Sequence, residues 1–186
     1  MNTQLARSEF RMLYLTVMNI ELKTNYLKML QKMVDIENQL IGYLPKMAEN
    51  AENPVLYDAI EKHTRQITIQ RDRLRRILMK YHVPVGNEYN EVFAKFLRDM
   101  ERDMLRITEP EVRDAFIIST AQMIKHIRIS KYNTLAEWAD FLKERDDEDL
   151  LGATLSEEDL IAENFSALAE TRMHTVSDLR DLVEIK

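Results

Sequence analysis

Apolar residues recur at intervals of three and four along most of the chain, the spacing that places them on one face of an α-helix. The pattern predicts a leading helix over residues 1–20, which either ends there or runs into the next helix. It then predicts four long helices and one shorter amphipathic helix. The long helices are expected at about 22–48, at 54–82, at 109–131 with a continuation at 134–144, and from 149 or 155, where Thr154 or Ser156 is a candidate cap, to 182; the shorter helix is expected at 89–106.

Local signals mark where these helices begin and where they are interrupted. Asn53-Pro54 is a strong start, because an Asn side chain caps free backbone N–H groups and proline suits the first helical position. Thr108 and Glu111 have the spacing of a capping box. Asn133-Thr134 is expected to break or kink the third long helix.

The lengths of the connections favour one topology. Short links join the first long helix to the second and the third to the fourth, whereas a long connection that holds the shorter helix separates the second from the third. This arrangement is that of a ferritin-like up-down-down-up four-helix bundle with one long crossover. Only 3 glycines and 4 prolines among 186 residues agree with an all-α fold. We predict a single helical domain over residues 1–186, with the bundle at 22–183.

One carboxylate interrupts the apolar face of the first long helix. Glu37 lies in line with aliphatic residues at 3-4-3-4-3 spacing, namely Leu27, Leu30, Val34, Ile41 and Leu44. An uncompensated charge in a dry core is costly. We therefore expect either a cation or a metal ion held by a facing helix, or a position at the edge of this face where the carboxylate reaches water.

Composition and charge narrow the classes of function. The sequence has no cysteine, which excludes disulfides, thiolate metal sites and cysteine nucleophiles, and which fits a reducing compartment. The net charge of −6 argues against nonspecific nucleic-acid binding, and no apolar run approaches the roughly 20 residues of a membrane span. No hydrolase elbow, phosphate loop or dinucleotide fingerprint occurs. We predict a cytoplasmic protein without nucleic-acid or membrane partners.

Several motifs at matching spacing across the helices give the sequence a family resemblance. They are Glu37-Asn38-Gln39-Leu40, Leu44-Pro45-Lys46-Met47-Ala48-Glu49, Ala59-Ile60-Glu61-Lys62-His63, Gln70, Val112-Arg113-Asp114-Ala115, Ala121-Gln122, His126 and Tyr132-Asn133-Thr134-Leu135-Ala136. With them the chain resembles the YciE/YciF family of ferritin-like bacterial proteins of unknown function over roughly residues 22–170. The resemblance implies a homodimer and an association with stress responses.

The resemblance also implies a site. Members of the family typically carry acidic and histidine residues in the bundle core that suit two metal ions, because Fe and Mn favour carboxylate and imidazole ligands from facing helices. By this resemblance Glu37 and Glu158 keep acidic positions, whereas Arg65, Lys125 and Arg128 stand at positions that are acidic in the family. Cationic side chains do not ligate metal ions. We therefore predict a buried ion-pair network of Glu37, Arg65, Lys125, Arg128 and Glu158 in place of a dimetal site.

Two functions remain in competition. The first is a noncatalytic, dimeric, stress-related bundle that holds no cofactor and acts through a protein partner. The alternative is a protein that binds or oxidises Fe or Mn through a rearranged site. His63, on the core face of the second helix, is either a ligand in such a site or a hydrogen-bonded core residue. The residues of the alternative site are Glu37, Glu61, His63, His126 and Glu158.

Overall fold

A computed structural model of the chain describes residues 2–86 and 88–161, with side chains described for residue 11 and from residue 13 onward within those ranges. All regular structure in these ranges is helical. α1 spans Asn2–Glu49, α2 Pro54–Lys80, α3 Glu91–Arg106 and α4 Pro110–Phe141, and α5 covers residues 145–161. The predicted end of the last helix near 182 lies outside the described residues.

The first two predicted starts are clear in the structure. The leading segment runs into the first long helix, because α1 continues without interruption from Asn2 to Glu49. α2 begins as predicted, with Pro54 at its first position. The Asn53 side chain accepts hydrogen bonds from two free backbone N–H groups of the first turn, at 2.8 and 3.3 Å.

The predicted capping box at Thr108 and Glu111 is wrong. The N-cap of α4 is Glu109, whose backbone is extended and whose side chain makes no capping hydrogen bond. Pro110 explains the difference, because the residue before a proline is pushed out of the helical conformation. Glu109 thereby becomes the cap, and Thr108 lies one residue too early for that position.

The predicted break at Asn133-Thr134 is also wrong. α4 passes through this dipeptide and ends only at Phe141. Tyr132 and Leu135, on either side of it, are fully buried. Packing of these side chains outweighs the low helix propensity of Asn and Thr, which is worth only about 0.7 kcal/mol per residue.

The last helix begins earlier than predicted. Lys143 has a positive φ of 63°, and the N–H of Glu144 donates to the carbonyl of Ala139, which closes α4 as a Schellman motif. α5 then starts at residue 145. Thr154 and Ser156 are therefore interior residues, and their hydroxyls donate to carbonyl oxygens four residues earlier instead of capping the helix.

Contacts between the helices give the direction of each one. α1 and α2 are antiparallel, since only residues 50–53 separate them. α4 starts beside this link, where the Asp114 carboxylate accepts hydrogen bonds from the N–H groups of Glu52 and Asn53. Further along, α4 reaches the middle of α1, where Arg128 meets Glu37. α4 is therefore antiparallel to α1 and parallel to α2.

α5 completes the bundle. Asp147, near its start, contacts Lys80 at the end of α2, whereas Glu158 contacts Gln70 farther back along α2. α5 is thus antiparallel to α2 and α4. The predicted up-down-down-up topology is confirmed, with α3 in the crossover between α2 and α4.

One hydrophobic core draws side chains from all five helices, for example Leu40, Leu74, Leu97, Ile124 and Leu151. Val92 of α3, although apolar, is 82% exposed. α3 packs through a narrower face than its sequence predicts. None of the helices within residues 2–86 and 88–161 is long and apolar enough to cross a membrane.

Candidate functional site

A stripe of polar residues crosses the buried face of α4. Lys125, Arg128 and Tyr132 are spaced by three and four, so they share one face of the helix. All three are buried, and the Arg128 side chain is fully buried. A buried guanidinium requires partners for its charge and for its five N–H groups.

The side chains around Arg128 provide an acceptor for each of those N–H groups. The Nε group donates to both Glu37 oxygens at 3.2 Å, and Nη2 donates to Glu37 at 3.1 Å and to Gln70 Oε1 at 2.6 Å. Nη1 donates to the Glu158 carboxylate and lies 3.1 Å from His63 Nε2. Because a guanidinium can only donate, a neutral His63 accepts at Nε2. We call Arg128, Glu37, His63, Gln70, Glu158 and Tyr132 the central network.

The remaining hydrogen bonds fix the two carboxylates. Tyr132 donates from its hydroxyl to Glu37 at 2.8 Å, and Gln70 donates from Nε2 to Glu158 at 2.9 Å. Gln70 thus accepts from Arg128 through its oxygen and donates to Glu158 through its nitrogen. α1, α2, α4 and α5 each contribute at least one member, so the central network joins all four bundle helices.

Burial and charge act in opposite directions on the central network. Burial raises the pKa of Glu158, but the positive charge of Arg128 and the hydrogen bond that Arg128 donates outweigh it and lower the pKa to about 2. Burial raises the pKa of Glu37, against the opposing effects of Arg128 and Tyr132. Burial lowers the pKa of His63, which favours the neutral imidazole. Because His63 is neutral, the Arg128 guanidinium is the one cation of the central network, and it contacts the side chains of both Glu37 and Glu158.

A second ion pair covers the central network toward the surface. Arg73 of α2 forms two parallel hydrogen bonds of 2.6 Å with Glu157, which adjoins Glu158 on α5. Gln70 also donates to Glu157 at 3.1 Å. Bidentate pairs of this kind are geometrically specific. Arg73 therefore helps to fix the rotation of α5 that aims Glu158 at Arg128.

The donor set of the central network does not fit a dimetal site. Ferritin-like dimetal sites take a Glu from each of two helices and a Glu-x-x-His pair from each of the other two. Here two carboxylates and one imidazole converge, and the Arg128 guanidinium occupies the point on which they converge. Within residues 2–86 and 88–161, no group of three or more His, Asp or Glu residues has a geometry that would hold a metal ion.

Comparison with known proteins decides the family. The model of a family described as a domain of unknown function, DUF892, matches residues 21–177. The chain belongs to this family. Its sequence is 29% identical over 156 residues to Protein YciF of Escherichia coli strain K12. The aligned region covers 79% of this chain and 94% of YciF. The predicted YciE/YciF resemblance is thereby confirmed.

Solved structures agree with this DUF892 assignment. The crystal structure of the E. coli stress protein YciF matches with a TM-score of 0.77 at 25% identity, over 82% of this chain and 97% of YciF. YcfI from Rhodopseudomonas palustris matches with a TM-score of 0.74 at 26% identity, over 78% of this chain and 92% of YcfI. A protein from Xanthomonas campestris shares the fold at 16% identity, with a TM-score of 0.68 over 86% of this chain and 99% of that protein.

The structure brings together three of the five residues that the DUF892 resemblance placed in an ion-pair network. Glu37, Arg128 and Glu158 meet. Arg65 does not join them; it is exposed and lies 3.7 Å from Glu61 on the same helix surface. Arg65 follows His63 by two residues, which turns it by roughly 200° from the core face. Lys125 is buried one turn before Arg128 and forms no ion pair within the described ranges.

The alternative Fe or Mn set is not assembled. Glu37, His63 and Glu158 face the centre of the bundle, but His126 of α4 is exposed. His126 precedes Arg128 by two residues and so points away from the face on which Arg128 lies. Glu61 is two residues from His63 and pairs with the surface residue Arg65. These two proposed ligands therefore lie on outer faces of their helices.

A second buried polar cluster was not predicted. Asp147 of α5 is almost completely buried and accepts hydrogen bonds from Tyr26 at 3.0 Å, Tyr81 at 2.6 Å and Lys80 at 3.0 Å. Burial, reinforced by Asp147, raises the pKa of both tyrosines. Glu144 accepts from Lys80 at 2.9 Å and also pairs with Lys23. We call these six residues the base cluster.

Some of the missed residues carry a detectable signal. Gln70 follows His63 by seven residues, and Tyr132 follows Arg128 by four, so each lies on the same helix face as a polar residue that was identified. The base cluster carries a weaker signal. Its Asp147 lies in an acidic stretch, residues 144–149, that is typical of a solvated turn, and only the packed structure shows which acid points inward.

The depressed pKa of His63 predicts that acid weakens the fold. Between the lowered pKa of the folded state and the ordinary value near 6.5, the unfolded chain binds a proton that the folded protein does not. The free energy of unfolding should therefore fall as pH is lowered from about 7 to 5, by at most about 1.4 kcal/mol per pH unit from this group. Urea denaturation at several pH values measures the slope.

Two variants isolate this contribution of His63. In His63→Gln the amide oxygen still accepts from Arg128, but no proton is taken up, so the pH slope should be shallower than in the wild type. His126→Gln removes an exposed imidazole and should keep the wild-type slope. Equal slopes for the wild type and His63→Gln would contradict the assignment.

Proposed function

We propose that this protein is a noncatalytic member of the DUF892 family in which the central network takes the place of a dimetal site. The supporting observation is that every N–H group of the Arg128 guanidinium has an acceptor among Glu37, Gln70, Glu158 and His63. A side chain held in this way is neither a ligand nor easily displaced by one. The bundle then needs no metal ion to neutralise its buried carboxylates.

Without a metal site in the bundle core, the surface of the bundle is the part of the protein left to carry its function. A bundle fastened internally by ion pairs acts through its surface, and the protein therefore works by binding a protein partner, as a homodimer in the cytoplasm. The similarity to YciF, described as a stress protein, supports a role under stress. The similarity to YcfI, which its description suggests is a structural protein, supports a noncatalytic one.

Thermal unfolding with and without added metal tests the proposal. A specific site adds about 2.7 kcal/mol of stability when the metal ion is present at a hundredfold excess over its dissociation constant. We expect no such stabilisation of the wild-type protein by Fe(II) or Mn(II), or by Zn(II) as a redox-inert comparison. The measurement is the melting temperature at constant ionic strength, with Mg(II) as the control for nonspecific screening.

The contrary outcome is specific. Stabilisation by Fe(II) or Mn(II) in the wild type that disappears in Glu37→Gln would place a metal ion at the central network and overturn the proposal. Glu61→Gln serves as the matched control, because Glu61 is a carboxylate of the alternative set that lies on the helix surface.

A further inference from the structure

The first nineteen residues of α1 extend beyond the part of the chain that defines the family. The DUF892 match begins at residue 21, whereas α1 begins at Asn2. The first described ties between α1 and the bundle are those of Lys23 to Glu144 and of Tyr26 to Asp147. Residues 2–20, which we call the extension, therefore form about 28 Å of helix past the end of the bundle.

The extension presents an apolar seam to solvent. Leu13, Val17 and Ile20 follow one another at four and three residues, and they are 63%, 47% and 62% exposed. At 100° per residue this seam is turned by roughly 120° from the face on which α1 buries Leu30 and Glu37. The part of the bundle that the structure describes therefore does not cover it.

An extension of this kind needs a partner. Most of the stability of a helix in a protein comes from packing of its apolar face, and α5 runs from the level of Tyr26 toward that of Glu37, away from the extension. We propose that the extension pairs antiparallel with the extension of a second copy of this chain. The seam has the alternating three and four spacing with which two helices pack side by side.

The charged residues beside the seam favour a second copy of this chain as the partner and an antiparallel orientation of the two helices. In the antiparallel register that we propose, Leu13 of each copy packs opposite Val17 of the other. In this register residue 21 of one copy lies on the same flank of the helix pair as residue 7 of the second copy. Those positions are Glu21 and Arg7, which are opposite in charge. On the other flank the same register sets residue 9 against residue 23, a Glu and a Lys, the latter also paired with Glu144 of its own chain. By two-fold symmetry each pair occurs twice.

Other partners fit less well. In a parallel pair, residue 23 of one copy lies beside residue 28 of the other, and both are Lys. An anionic membrane surface attracts helices rich in Lys and Arg, but the only charged residues of the extension are two Arg and one Glu. The antiparallel homotypic pair alone places opposite charges on both flanks.

Sedimentation equilibrium of the full chain tests the seam. The double variant Leu13→Asp/Val17→Asp should have half the molar mass of the wild type at the same concentration, whether or not the bundles also associate. Leu15→Asp is the matched control, since Leu15 is 43% exposed but lies on the opposite side of the extension, and it should keep the wild-type mass. Equal masses for the wild type and the double variant would overturn the proposal.

Charge reversal tests the orientation. Glu21→Arg and Arg7→Glu should each raise the dissociation constant by roughly fivefold or more, because both symmetry-related attractions on one flank become repulsions. The combination Arg7→Glu/Glu21→Arg should restore the wild-type constant. Failure of the combination to restore association, or seam-dependent binding to anionic phosphatidylserine vesicles without any change in mass, would refute the antiparallel pair. None of these readouts depends on metal, so the test is separate from that of the proposed function.

Discussion

Arg128→Met should lower the free energy of unfolding by about 3–5 kcal/mol, the cost of leaving a buried charge without its partner. Arg128 is the cation shared by Glu37 and Glu158, and all three side chains are fully buried. Methionine approximates the volume of the aliphatic part of arginine, so the loss reflects charge and hydrogen bonding more than a cavity. Urea denaturation at pH 7 gives the difference.

Two further variants separate this effect from general damage by mutation. Arg65→Met removes an equally charged residue that is exposed and paired only within its own helix, and it should change stability by less than about 1 kcal/mol. The triple variant Arg128→Met/Glu37→Leu/Glu158→Leu removes the uncompensated charges along with the cation. It should be more stable than Arg128→Met alone, since well-packed apolar residues often replace a buried ion pair at little cost. A loss below 1 kcal/mol in Arg128→Met would contradict the central network.

Asp147→Ala is expected to have the second largest effect, a loss of about 2–4 kcal/mol. The hydroxyl of Tyr26 is fully buried, and with that of Tyr81 it loses its acceptor in this variant. Each buried donor left without a partner costs about 1–3 kcal/mol. Lys80 contributes less, because it retains Glu144 and is partly exposed.

The neighbouring acid provides the control for Asp147. Asp146→Ala alters an exposed carboxylate one residue earlier and should change stability by no more than about 0.5 kcal/mol. Thermal unfolding of both variants at pH 7 makes the comparison. If they melt at the same temperature, the base cluster does not hold α5 against α1 and α2.

The sequence predicts much of the fold because helices bury broad, periodic faces. The spacing of apolar residues alone predicts the positions of the long helices, and the lengths of the connections predict the up-down-down-up topology of the bundle. Helix ends were harder to predict. The end of α4 depends on a positive φ at Lys143, a conformation that nothing in the local sequence requires. Its start depends on how Pro110 restricts the residue before it.

For the site, the helical period predicts which face of a helix a residue lies on, but not which residues of other helices it contacts. Glu37 stands out because it interrupts an aliphatic face, whereas Arg128 was identified by its family position and only the structure shows that it lies on the buried face of α4. Arg65 was assigned by its family position, although it is two residues from His63 and so faces outward. Asp147 was missed because burial selects one acid from an acidic stretch, and that selection depends on where Tyr26 and Tyr81 lie in the packed bundle.

The most direct test of the central claim is the metal content of the intact protein. The protein would be expressed in medium replete with Fe and Mn, purified without chelators and measured by inductively coupled plasma mass spectrometry against protein concentration. If the Arg128 guanidinium stands where the DUF892 resemblance implies a metal pair, neither metal should reach one ion per chain. Two Fe or Mn ions per chain would contradict the claim.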